Sequence, residues 1–277
     1  MKILIRLNSI DFLTVFVLTL LMYSCSSDLD DLGYSTNNEH IKSISSNGKA
    51  IHRYYYDQTG KIMEESSLFY FKKYIYDENG RLVKVESAFD KSIYSSAYIT
   101  QRTEFMTSKN SVADSYSLLH YDETGRLSKT GHYFNETGTI FEYRSMRTFE
   151  YEGKNIIREN FHEPTGQITQ YFVYTYDENG NVTNNKNYSN LINSEDELLS
   201  ETFYKYDNYN NPYRILIKTG SPGLFTNANN IIETKTIRHD DIPGIDKQSG
   251  SKTTYLYNEK GYPIKEITKD SEFEYNY

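Results

Sequence analysis

The chain has 277 residues, with 38 acidic against 30 basic side chains and a formal charge of −8. Affinity for a phosphate backbone comes from clustered Lys and Arg, and no block along the chain is basic enough to make a stripe, so nucleic acid is excluded as a partner. Mean hydropathy is low at −0.71, yet 28 Tyr and 14 Phe supply apolar area, and 5 Pro with 15 Gly are too few for a disordered low-complexity chain.

Lys2 and Arg6 open the chain, and residues 12–21 form an apolar run of ten, the length of a signal-peptide core and short of a ~30 Å bilayer. The run leads into Leu21-Met22-Tyr23-Ser24-Cys25, which resembles the bacterial lipoprotein signal. That resemblance implies cleavage after Ser24 and acylation of Cys25. Cys25 is the only cysteine, so no internal disulfide can form, and its place behind the apolar run favours modification. Several acyl chains, at ~0.8 kcal/mol per buried CH₂, hold a protein stably where one would not. Ser26-Ser27-Asp28-Leu29-Asp30-Asp31 is similar to the serine-plus-acid export signal that sends Bacteroidota lipoproteins to the outer face of the outer membrane. The expected organisation is a signal peptide at 1–24, a polar linker at 25–38 and one β-sheet domain at 39–277.

From about residue 40 one phrase keeps returning: aromatic-x-Tyr-Asp-x-x-Gly, then a basic or polar residue, then an apolar one. It runs from Tyr54 through Asp57 and Gly60 to Ile62, from Tyr74 through Asp77 and Gly80 to Leu82, and from Tyr174 through Asp177 and Gly180 to Val182. A fourth copy, Tyr121-Asp122-Glu123-Thr124-Gly125-Arg126-Leu127, has Leu119 at the first aromatic position. Weaker copies lie at 204–213, where Asn211 stands in for Gly, and at 255–264, where Asn258 stands in for Asp. Asn135-Glu136-Thr137-Gly138 and Glu163-Pro164-Thr165-Gly166 are related turns without the Tyr-Asp pair.

The phrase reads mechanically as a hairpin loop. Asp bonds to backbone N–H groups two residues on, the next two residues take a type I turn, and Gly accepts the positive φ of a G1 bulge. With residues 78–80 as the loop, Asp77 pairs with Arg81, Tyr76 with Leu82, Ile75 with Val83 and Tyr74 with Lys84. The same register sets Asp57 beside Lys61 and Asp122 beside Arg126. Glycines at 125, 138, 153, 166 and 180 then mark turns at alternating ends of an all-β antiparallel meander, with strands of about ten residues. On the order of 14 to 18 strands follow, and an open sheet that wide curls, splits or closes. Residues 189–201 and 218–230 escape the rhythm and are expected as loops on the sheet, the first holding a possible one-turn capping box at Ser194-Glu195-Asp196-Glu197. Tyr74, Tyr76 and Leu82 share one face and Ile75 and Val83 the other, so both faces carry apolar groups.

Tyr-Asp-x-x-Gly-Arg-Leu is similar to the YD repeat of the Rhs and teneurin proteins, β-hairpin arrays that wind into shells. With the lipid signal, the tyrosine-rich hairpins and the late stretch at 204–213 followed by Asn229-Asn230-Ile231, the chain as a whole resembles YD-repeat-like lipoproteins of Bacteroidota. That resemblance implies an extracytoplasmic β-sheet domain and brings no established activity.

Six histidines at 40, 52, 120, 132, 162 and 239 have no metal-ligand spacing, so neither a metal site nor a cofactor is expected. His239-Asp240-Asp241 reads as a solvated turn. Asp77-Glu78-Asn79-Gly80 has part of an EF-hand pattern, but its recurrence at hairpin spacing makes it a turn. No Gly-x-Ser-x-Gly elbow occurs, and paired carboxylates leave no trace in a sheet sequence. The expected function is a non-catalytic binding or structural module at the cell surface, tied to the membrane through its lipid and facing a glycan or protein ligand. One rival is a surface or periplasmic hydrolase, favoured by a concave pocket holding two or more carboxylates. The other is an outer-membrane β-barrel, raised by the alternating end Phe273-Glu274-Tyr275-Asn276-Tyr277 and opposed by charges on both strand faces.

Overall fold

The computed structural model describes residues 39–90, 103–136, 138–190, 196–216, 219–239 and 247–277. Among the described residues, tyrosine-rich runs between turn signals fold into seventeen antiparallel strands of one sheet, with a 3-10 turn at Pro212–Ile215 between the twelfth and the thirteenth. The strands are β1 (Ser43–Ser46), β2 (Lys49–Tyr56), β3 (Ile62–Ser67), β4 (Tyr70–Tyr76), β5 (Leu82–Phe89), β6 (Ser115–Tyr121), β7 (Leu127–Phe134), β8 (Glu142–Glu152), β9 (Asn155–His162), β10 (Ile168–Tyr176), β11 (Val182–Ser189), β12 (Glu197–Tyr206), β13 (Ile231–Arg238), β14 (Gln248–Lys252), β15 (Thr254–Tyr257), β16 (Pro263–Ile267) and β17 (Glu272–Asn276). Most are shorter than the ten residues expected, because turns and bulges take a larger share of each repeat.

β1 pairs with both β2 and β17, so the meander bends round until its ends meet. β14 and β15 are halves of one extended stretch divided at Thr253: the first half pairs with β13 and the second with β16. The Thr253 N–H donates to the Ile232 carbonyl at 2.9 Å, holding the junction against β13. The result is a nearly closed barrel. Barrels with about sixteen strands leave an aqueous channel unless something fills them.

The register departs from the simple hairpin in one systematic way. Tyr76 lies opposite Leu82, but Ile75 then pairs with Lys84 and Tyr74 with Val85, because a bulge at Leu82–Val83 inserts one residue. The expected Ile75–Val83 and Tyr74–Lys84 pairs are therefore wrong. The same bulge lies opposite Tyr56, Tyr121, Tyr151, Tyr176, Tyr206 and Tyr257. Its effect is to turn two apolar residues of the outgoing strand, such as Leu82 and Val85, to the same side. That side is the interior, where Ile44, Tyr54, Tyr56, Ile62, Tyr74, Leu82, Val85, Leu119, Leu127, Phe149 and Tyr275 form one core.

The outer face is charged. Ion pairs join Lys84 to Glu86 (2.7 Å), Arg158 to Glu150 (3.7 Å), Lys186 to Glu201 (3.0 Å) and Lys205 to Glu233 (3.2 Å). Over β3 to β5 the outside is covered by a segment near 105–113, whose Met106 packs on Phe71 and Ala88. Ser108 of that segment donates to both oxygens of Glu64, which is buried there.

The expected loop at 218–230 belongs to a longer one. Asp207 closes a turn with Asn230, its N–H donating to the Asn230 carbonyl at 3.1 Å, so everything between them is inserted into a single hairpin. Asn211 thus does not replace the turn glycine: its φ is −79° and its side chain caps the 3-10 turn by accepting from the Tyr213 N–H. The loop enters the barrel instead of lying on the sheet. Tyr213 meets Tyr275 edge-on, Gly220 lies against Phe149, and Asn227 accepts the Val182 N–H at 3.0 Å. It is a plug. Of residues 189–201, β12 takes the part from Glu197 onward, and 194–195 lie outside the described residues.

Candidate functional site

The turn residues lie at one rim of the barrel, and each has a bonding role. Asp77 Oδ1 accepts from the N–H groups of Asn79 (3.0 Å) and Arg81 (2.8 Å), and Asp122 Oδ1 from those of Thr124 and Arg126 (2.9 Å each). Asp57 does the same with Thr59 and Lys61, Asp177 accepts from Asn181, and Asn258 serves where Asp is missing. The Thr124 hydroxyl, with the Arg126 N–H, holds the Asp122 carboxyl down at about 2; the Arg81 N–H acts in the same direction on Asp77. Gly60, Gly80, Gly125 and Gly180 take φ values of 73° to 84°, open to glycine and strained for other residues.

The tyrosine before each turn's acidic residue points inward and its hydroxyl donates to a main-chain carbonyl one strand back. Tyr56 reaches Ile41, Tyr76 reaches Ile62, Tyr121 reaches Leu82, Tyr151 reaches Leu127, Tyr176 reaches Ile156 and Tyr206 reaches Val182, at 2.5 to 2.8 Å. Tyr277 reaches Pro263 at 2.7 Å, while Tyr255 takes the place of Tyr257 and reaches Ile231 at 3.3 Å. The acceptors sit at the bulges, before the ladder to the next strand begins; the β3–β4 ladder, for example, starts at Glu64 and leaves out Ile62. A belt of tyrosines thus supplies the bonds that the splayed strand ends lack. The basic residue after the glycine closes the unit: Lys61 lies over Tyr76, Arg81 over Tyr121 and Arg126 over Tyr151, while Arg81 and Arg126 also pair with Asp77 and Asp122.

Inside, the plug is tied to the wall by a buried polar cluster. Glu159, 1% exposed, pairs with Arg147 at 2.9 Å and accepts from Tyr174 and from Ser221 of the plug, both at 2.8 Å. Arg147 also donates to Ser221 (2.7 Å), to the Thr219 carbonyl (3.4 Å) and to His132 Nε2 (3.1 Å). Accepting at Nε2 leaves Nδ1–H to donate to Ser117 at 2.8 Å, the neutral tautomer. Burial, with Arg147 adding to it, lowers the His132 pKa to about 4.

Beyond the plug apolar side chains meet solvent: Leu224 of the plug is 45% exposed and Phe89 of the wall 38% exposed. A cavity of about 340 Å³ lies here between wall and plug. Tyr54, Tyr70, Tyr213, Phe225, Phe273 and Tyr275 give it aromatic walls, and Glu65, Glu266, His52 and Lys72 supply its ionisable groups. Glu65 accepts from Tyr70 and Tyr74 and pairs with Lys72 at 3.5 Å, while Glu266 accepts from Tyr275. Burial lowers the His52 pKa, against the pull of Glu65. Sequence reasoning met His52, Tyr54, Phe273 and Tyr275 in other roles and did not group them as a site, since these lumenal residues sit on five different strands and the plug. Among the described residues no three His, Cys, Asp or Glu side chains are grouped as a metal would need. Cys25, Asp240 and Asp241 lie outside the described residues.

No family model and no curated protein matches the chain. Among solved structures it is similar to a porin-like protein from Bacteroides vulgatus, at 10% identity and a TM-score of 0.49 over 86% of this chain and 98% of that one. A porin-like protein from Bacteroides uniformis gives 10% identity and a TM-score of 0.37 over 85% and 97%. The Photorhabdus luminescens Tc holotoxin pore gives 16% identity and a TM-score of 0.28 over 82% of this chain and 9% of that one. The likeness is one of all-β shape.

Proposed function

We propose that the chain is a lipid-anchored module of the outer membrane, held through Cys25, facing outward, and binding a glycan or protein ligand without catalysis. The observation that carries this reading is the use of every position of the repeated phrase in building the wall. Tyr, Asp, Gly, the basic residue and the apolar residue each have a structural partner, which leaves the lumen as the place for a ligand. The charged outer face supports a wall in water, since Arg or Lys at a bilayer midplane costs about 2 to 4 kcal/mol each. An aromatic cavity with a few convergent polar groups is a common form of small-ligand site.

Fractionation of cells carrying Cys25→Ala tests the anchor: loss of acylation and of outer-membrane attachment is expected, and a protein retained there without lipid overturns it. The absence of Trp makes intrinsic fluorescence a report on tyrosine alone. Titration with neutral oligosaccharides is expected to change it in the parent and not in Tyr70→Ala; equal response in both removes the lumen as the site. One observation favours the hydrolase reading, the two carboxylates Glu65 and Glu266 facing a single cavity. Turnover of a glycoside that is abolished by Glu65→Gln or Glu266→Gln would replace binding with catalysis.

A further inference from the structure

The hairpin between β8 and β9 breaks the pattern of its neighbours. Its turn is one residue shorter, with Glu152 paired directly to Asn155 around Gly153-Lys154, and it has Tyr-Glu where the others have Tyr-Asp. In the hairpins at Gly60, Gly80 and Gly125 the basic residue after glycine lies over the next belt tyrosine. Lys154 occupies that position and, among the described residues, neither stacks on Tyr176 nor meets a carboxylate. It lines a rim cavity of about 430 Å³ between wall and plug. Arg214 of the 3-10 turn lines the same cavity, also without an acidic partner among the described residues. No acidic side chain lines it; the remaining lining includes Tyr121, Tyr151, Tyr176 and Ile156.

Two uncompensated cations in one concavity, on a chain of net charge −8, mark a place built for negative charge. We infer that this rim cavity binds an anionic ligand, a phosphate or carboxylate carried on a ring-sized body, with Lys154 and Arg214 on the anion and the tyrosine and isoleucine side chains against the body. Arg offers a planar fork of donors and Lys a mobile point charge, and both suit a phosphate or carboxylate. The site is separate from the lumenal cavity, with which it shares no lining residue. The described chain also enters the barrel at this rim, where the His40 ring lies tilted against Tyr56 at 4.9 Å and approaches Gly60. The anion therefore has two sources to separate, a soluble molecule and a lipid headgroup.

The test is the rate at which Lys154 is acylated by an amine-specific reagent, read by mass spectrometry on the full chain in uncharged detergent, with Lys129 on the outer wall as internal reference. Glucose 6-phosphate and glucuronate are the soluble probes, glucose their uncharged control, and micelles doped with phosphatidylglycerol the headgroup probe. At least five-fold protection of Lys154 is expected from the anionic probes, with Lys129 unchanged and the protection lost in Arg214→Gln. Protection by the sugar acids assigns a soluble ligand, and protection by doped micelles alone assigns a headgroup. Equal protection by glucose, no protection by any anion, or protection that survives Arg214→Gln overturns the inference.

Discussion

The two regions that make up the molecule, the hairpin wall and the plug within it, are held by opposite means. At the turn rim the wall repeats one small set of bonds: carboxylate to turn N–H, hydroxyl to bulge carbonyl, cation over ring. Each member is modest, and many copies share the load. The plug has no repeat. It is fixed at a few deep points, of which Glu159 is the most heavily used, with partners on β8, β10 and the loop. Damage to the wall should therefore be gradual and damage at the plug abrupt.

The largest effect is expected from Glu159→Ala. Removing one partner of a buried ion pair leaves an uncompensated charge and costs about 3 to 5 kcal/mol, here on Arg147. Ser221→Ala, which removes one neutral partner of that cluster, is expected to lose about 1 kcal/mol. Urea denaturation of the two variants measures both, and equal losses would show that the plug is not anchored through Glu159.

Next comes the pH response of the same cluster. His132 is neutral in the folded protein, with its pKa lowered from 6.5 to about 4. Between those values the unfolded chain binds a proton that the native state does not. Stability is thus fully present above 6.5 and is lost as pH falls toward 4, by about 3 kcal/mol at most. His132→Gln keeps a side-chain acceptor and removes the titration. Denaturation midpoints of parent and variant from pH 7 to 4 should converge as the parent weakens; parallel curves would mean that His132 titrates alike in the folded and unfolded chain.

The same division explains what a reader of the sequence can and cannot see. The wall is legible because Tyr, Asp and Gly recur at fixed spacing, and recurrence reports a shared local geometry. Its bulge is not. Leu82-Val83 offers two apolar residues in a row, which fit either register, and the structure selects the one that sends Val85 inward with Tyr74. The plug is illegible for a different reason: Ser221 meets Glu159 and Asn227 meets Val182 only across long stretches of chain, through residue types that are common everywhere. Asn211 shows how local grammar misleads, since an Asn-Pro after Tyr-Asp reads as a turn and in fact caps the start of the insertion. The lumenal pair Glu65 and Glu266 leaves no trace for the same reason, lying at opposite ends of the chain and meeting only when the barrel closes.

A smaller effect is expected in the belt. Tyr121→Phe removes a 2.7 Å bond to the Leu82 carbonyl but keeps the ring, so the loss is about 1 kcal/mol. Tyr255→Phe, whose bond to Ile231 is 3.3 Å long, should lose less. Combining Tyr121→Phe with Tyr206→Phe, on distant hairpins, should give additive losses within about 0.5 kcal/mol. Marked excess over the sum would show that the belt acts as one cooperative ring and not as independent clasps.

The smallest effect separates two lysine and arginine positions that occupy the same place in the phrase. Arg126 pairs with Asp122 at an exposed rim and lies over Tyr151 at 4.9 Å. The ion pair is open to screening, whereas a stack on an aromatic face contributes about 0.5 to 1 kcal/mol and depends less on salt. Arg126→Gln should therefore lower stability slightly at low salt and somewhat less at high salt, without reaching zero. Lys154 has neither partner among the described residues and shares its cavity with Arg214, so Lys154→Gln should cost no stability at any salt. A salt-dependent loss in Lys154→Gln matching that of Arg126→Gln would place Lys154 back among the structural cations, because a loss that salt diminishes reports an attraction within the folded protein.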